Sequence, residues 1–126
     1  MTGWLIDSHA LLWFLLDSSR LSETAREVMT DPRAPMYVSS ASLWEIAIKK
    51  QIGKFDPPDD LPEIAVQQGF QLFPVEPRHA WAVRNLPLDD HRDPFDRMLV
   101  AQARVEMLPI ISADARLDQY KIARLW

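Results

Sequence analysis

The sequence predicts an α/β domain in which a mainly parallel central sheet of short strands is flanked by helices on both faces. Short apolar runs such as "WLI" (4–6), "PMYVSS" (35–40) and "LPII" (108–111) alternate with stretches of helical period, the pattern of βαβ units. The strand runs are apolar at successive residues, as expected of strands covered on two sides. The connections between them are short, and no repeat or low-complexity segment interrupts the 126 residues, so residues 1–126 form one domain.

Taken in order, "WLI" is a buried strand ended by Asp7, and "HALLWFLL" (9–16) continues as an apolar helix. Ser22 precedes "ETAREVMTD", where Ala25, Val28 and Met29 recur at helical spacing up to Asp31-Pro32. After the strand in "PMYVSS", "SLWEIAIKKQIGK" (42–54) sets Leu43, Ile46 and Ala47 on one stripe. Its lysines fall late, where the helix dipole favours cations, and Gly53 is the stop. "FDPPDD" is a loop, and Pro62 suits the first turn of a short helix ending near Gly69. "QLFPV" (71–75) is a weak strand, "PRHAWAVRNL" (77–86) a short helix and "PLDDHRD" (87–93) a loop. From Pro94 to about Met107 the chain is apolar nearly all round, as in a buried central helix. "LPII" ends at Ser112, "DARLDQY" (114–120) is a turn or short helix, and "IARLW" (122–126) is a last strand.

The absence of cysteine excludes a disulfide framework, a thiolate metal site and a cysteine nucleophile. A net charge of −4 argues against general nucleic-acid binding through a broad basic surface, though not against cations placed locally. No run approaches the roughly 18 apolar residues of a membrane span. The first residues lack a basic region and a small-residue cleavage site, so a cytoplasmic location is expected.

In open parallel sheets ligands bind beyond the carboxyl ends of strands. Asp7 and Asp114 follow two such ends, Glu45 lies early in the helix after "YVSS", and Asp96 lies in the first turn of the buried helix. Four carboxylates from four segments thus converge on one edge, where mutual repulsion calls for a cation. An all-oxygen set suits Mg²⁺ or Mn²⁺ better than Zn²⁺, and such ions serve phosphodiester hydrolysis. Each acid also has a structural reading: Asp7 as N-cap, Glu45 closing a capping box with Ser42, Asp114 as turn residue or cap. In "HRDPFDR" (91–97), Asp93 is the N-cap, Pro94 the first helical residue and Asp96 the third, facing the strand ends.

Four segments, "LIDSHALLW", "SSASLWEIAIKKQIGK", "LPLDDHRDPFDRMLVAQA" and "PIISADARLDQY", together resemble the PIN domain family, specifically its VapC-like toxin ribonucleases, over essentially the whole chain. The resemblance implies an endoribonuclease with a Mg²⁺ or Mn²⁺ site built from Asp7, Glu45, Asp96 and Asp114. It also implies RNA as substrate, a cognate antitoxin as partner and a homodimer. Ser8 and Ser112 match hydroxyl residues often found beside that site, and Asp93 is a candidate outer contributor.

Arg92, Arg97 and Arg116 flank the acids and are candidate phosphate contacts, with pairing to neighbouring acids as the alternative. Lys49, Lys50 and Lys54 suit a solvated helix end. His91 adjoins the motif and offers a proton-transfer group, although a structural role is the plainer reading for it, as for His9 and His79. The five tryptophans suit core packing, with a dimer surface or an antitoxin groove as a further use. A haloacid-dehalogenase type phosphoryl-transfer module would want an acid where His9 stands, and a receiver domain would want a lysine that "PIISADAR" lacks. A non-catalytic binding module and an RNA-processing nuclease of the same fold remain the alternatives.

Overall fold

A computed structural model describes residues 1–88 and 91–126 of the chain. Five strands, β1 (Trp4–Ile6), β2 (Met36–Ser39), β3 (Gln71–Phe73), β4 (Ile110–Ile111) and β5 (Arg124–Leu125), form one sheet in the order β3-β2-β1-β4-β5. Every neighbouring pair is parallel, with Leu5 beside Tyr37 on one side and Ile110 on the other. The chain builds outward from β1 to β3, then returns to lay β4 against the other side of β1. The order therefore reverses at β1, where a parallel sheet opens a crevice at its carboxyl edge.

The helices are α1 (Ser8–Leu15), α2 (Glu23–Thr30), α3 (Ser40–Gln51), α4 (Leu61–Gln67), α5 (Pro77–Ala82) and α6 (Pro94–Glu106), with 3₁₀ turns at Val83–Asn85 and Ala115–Tyr120. Successive strand residues point to opposite faces. Ile6 and Ile111 accordingly join a core with residues of α1, α2, α3 and α4, while Leu5 and Ile110 join another with α6, Leu117 and Tyr120. Gly3 brings β1 close to the chain entering β2: its φ is +121°, and a Cβ there would lie 2.5 Å from the Pro35 carbonyl oxygen.

Two elements differ from the sequence expectation. Helix α3 begins at Ser40 with Ser39 as its N-cap, so the capping box of Ser42 and Glu45 does not form. Its buried face carries Ala41, Ser42, Glu45 and Ile46, whereas Ala47 is exposed. The stripe is rotated because α3 packs its polar residues against α1 and α6, where Ser8 meets Glu45. Helix α6 is buried as expected but encloses Arg97 and Gln102 among its apolar residues. Of the expected loop "PLDDHRD", Asp89 and Asp90 lie outside the described residues. Trp44 and Trp81 are exposed rather than core, at 64% and 68%.

Candidate metal centre

The carboxyl edge around β1 and β4 collects the acids by way of helix starts. Asp7 ends β1 and caps α1, its Oδ1 accepting from the Ala10 amide at 2.8 Å. Asp93 caps α6 by accepting from the amides of Phe95 and Asp96, which places Asp96 in the helix's first turn. Asp114 follows β4 and caps the 3₁₀ turn through the Arg116 amide. The capping readings are therefore realised at Asp7, Asp93 and Asp114, and the same backbone geometry turns these residues to one edge.

Donor atoms of His91, Asp96 and Asp114 lie within 4.8 Å of one another. His91 Nε2 is 2.8 Å from Asp96 Oδ2, and its buried Nδ1 has no hydrogen-bond partner among the described residues. The Tyr120 hydroxyl donates to the His91 carbonyl, holding the loop in place. Asp7 joins through Ser112, which is fully buried, donates to the Asp7 carboxylate and accepts from the Asp114 amide at 3.0 Å. Glu45 is buried and doubly bonded, by Ser8 Oγ to Oε1 at 2.7 Å and by Lys49 Nζ to Oε2 at 2.8 Å.

Burial pushes the Asp7 carboxyl up to about 6, with the charge of Asp96 adding to the effect and hydrogen bonds from Ser112 and Ala10 opposing it. Burial also raises Asp96, helped by Asp93 and Glu45 and opposed chiefly by the His91 hydrogen bond. The forked hydrogen bonds of Arg116 hold Asp114 below the usual carboxylate range. Desolvated acids, with Asp96 raising Asp7 and with Asp93 and Glu45 raising Asp96, grouped with the His91 imidazole within 4.8 Å, fit a divalent cation. Such an ion would favour the charged forms that burial opposes.

His91 is the residue that sequence reasoning undervalued. Its proximity to Asp96 in one short motif was the available signal, but the contact depends on the path of the loop leading into α6. Arg97 corrects the phosphate-contact expectation. It is buried, and its guanidinium donates to the carbonyls of Pro87 and Leu86 and reaches Tyr120 Oη instead of facing the edge. Arg116 is exposed while gripping Asp114, and Arg92 is exposed at the rim of an apolar groove lined by Trp44, Phe95 and Met98. His79 is structural, bonded to the Glu76 amide and to Glu106.

A five-stranded parallel sheet with acids gathered at its switch point defines a class of α/β domain, and the family itself is shown by sequence. The PIN domain pattern matches residues 4–123, and the chain belongs to the PIN domain family. No curated protein sequence matches it significantly. Solved structures with this fold include DNA-bound VapBC from Salmonella typhimurium, at 15% identity and a TM-score of 0.72, covering 99% of this chain and 98% of that one. VapBC2 from Rickettsia felis bound to a promoter DNA fragment shares 8% identity at a TM-score of 0.70, covering 97% and 96%. VapC20 of Mycobacterium tuberculosis, described as a sarcin-ricin loop cleaving toxin, shares 14% identity at a TM-score of 0.69, covering 96% and 97%.

Proposed function

We propose that the chain is a metal-dependent endoribonuclease that hydrolyses RNA phosphodiester bonds as the toxin of a toxin–antitoxin pair. The observation that carries this reading is the meeting of His91, Asp96 and Asp114 within 4.8 Å, linked to buried Asp7 through Ser112. PIN membership and the fold shared with VapC toxins, one of them described as a sarcin-ricin loop cleaving toxin, support it.

Asp96, Asp114 and His91 would hold the ion, with Asp7 completing the set through a carboxylate that Ser112 orients. Bound Mg²⁺ or Mn²⁺ supplies a water of lowered pKa and neutralises charge developing on the scissile phosphate. Glu45, held by Ser8 and Lys49, stands near Asp96 and orients the attacking water. Arg92 and Arg116, both exposed, are candidate contacts for phosphates on either side of the cut, Arg116 while it grips Asp114.

A cognate antitoxin restrains the enzyme, a pairing that the VapBC complexes with this fold support, and the enzyme works in the cytoplasm. Among the described residues no helix is long and apolar enough to cross a membrane. Two copies pair through the face where exposed Trp44 lines a groove of about 570 Å³ with Phe95 and Met98, since exposed aromatics concentrate at interfaces. Light scattering at micromolar concentration checks this, and a monomer argues against it.

The deciding experiment incubates the purified protein with RNA in Mg²⁺ or Mn²⁺ and in EDTA, beside Asp96→Asn. Cleavage is expected only with metal, falling by about a hundredfold or more in the variant. Absence of metal-dependent cleavage overturns the reading in favour of a binding module. Cleavage without growth arrest on induction favours an RNA-processing nuclease.

A further inference from the structure

An aromatic cluster lies against the acidic edge and takes no part in the chemistry above. His9, two residues after Asp7, is exposed, and its ring centroid stands 5.5 Å from that of Trp13 and 5.7 Å from that of Phe55, edge-on at 89°. Trp13 is in turn 5.7 Å from Trp126. Trp13, Phe55 and Trp126 are half-buried, so none is sealed inside the core. One ion pair and one through-space charge interaction tie the cluster to the candidate centre. Lys49 Nζ bonds Glu45 at 2.8 Å while lying 5.3 Å from the Phe55 ring centroid, and His9 is within electrostatic reach of the Asp7 carboxylate.

Partly exposed rings with an ammonium beside them are what an unpaired nucleotide requires. The base stacks on the ring system, and the cation stands near its phosphate. A purely structural cluster would gain nothing from leaving His9 in water at the start of α1. A protein segment could also use aromatic surface, but contact with the carboxylate edge favours the strand whose phosphate is cut there.

We propose that His9, Phe55 and Trp13, with Lys49 beside them, form a stacking site for one unpaired nucleobase adjacent to the scissile phosphate. The site rests on the ribonuclease reading and deepens it. It makes the enzyme select single-stranded or looped RNA, because a paired base remains stacked within its duplex.

The test uses a short single-stranded RNA spanning a cleavage site mapped with the wild-type protein, with one abasic nucleotide walked through the flanking positions. One position is expected to lower kcat/KM about tenfold in the wild type, the scale of one base–aromatic stack. That sensitivity should vanish in His9→Ala and Phe55→Leu and persist in His9→Phe, which restores a ring. Sensitivity at no position, or equal sensitivity in all variants, overturns the proposal while leaving the ribonuclease reading intact. Fluorescence anisotropy with the uncut RNA and Asp96→Asn supplies a readout independent of turnover. Adding Phe55→Leu should weaken binding about tenfold, whereas unchanged binding overturns the proposal and marks the cluster as a protein-contact patch. If the wild type cuts no RNA, the ribonuclease reading fails and the stacking site falls with it, an outcome distinct from cleavage that no abasic position slows.

Discussion

Asp7 answers to two demands, as a cap that starts α1 and as a buried acid beside Asp96. Its carboxyl titrates near 6 in the folded chain and near 3.8 when unfolded. Below both values the folded and unfolded chains are equally protonated. Between them only the unfolded chain has released its proton, so the stability that Asp7 contributes at low pH is lost as pH rises through about 6. The difference amounts to about 3 kcal/mol in the absence of metal. Asp7→Asn retains the cap without the ionisation. The metal-free variant is therefore expected to gain on the wild type across pH 4 to 6 in urea denaturation, while losing metal-dependent cleavage. An unchanged difference between the two proteins across that window would show that burial does not disfavour the charge.

At the scale of the element, the first turn of α6 shows how one short motif serves two ends. Asp93 takes the amides of Phe95 and Asp96, Pro94 begins the helix without a donor to satisfy, and Asp96 turns toward His91. Asp93→Ala should cost about 1 kcal/mol, read as a lowered urea midpoint at constant slope, and Asp93→Asn should cost much less. The division between Asp93 and Asp96 was legible from spacing alone, because Asp-Pro at a helix start is a local preference. The start of α3 was not. Three nearby serines, Ser39, Ser40 and Ser42, each suit a cap, and the choice of Ser39 together with the burial of Glu45 depends on Ser8, which lies 37 residues away in sequence.

For the molecule as a whole, gathering acids at one sheet edge makes the fold carry an electrostatic cost that a bound cation would remove. Mn²⁺ at a hundred times its dissociation constant should stabilise the protein by about 2.7 kcal/mol, raising the melting temperature by several degrees. EDTA should reverse the rise, and Asp96→Asn should abolish it. An equal rise in that variant would place the ion elsewhere. The exposed Trp44 and Trp81 belong to this scale too, since a sequence records that a tryptophan lies in a helix but not which way the helix faces.

The succession of strands and helices, their mainly parallel character and the arrival of Asp7, Asp96 and Asp114 at strand ends and helix starts could be read from the residues alone. These features follow from periodicity, caps and chain direction, which act over a few residues. Folding was needed to reveal that His91 meets Asp96 and Asp114, that Ser112 bridges Asp7 to Asp114, that Arg97 turns inward to carbonyls, and that His9 and Phe55 share a surface. Each of these depends on a contact between distant segments or on the path of a loop, where the orientation of a side chain is set by what packs against it rather than by its own neighbours in the chain.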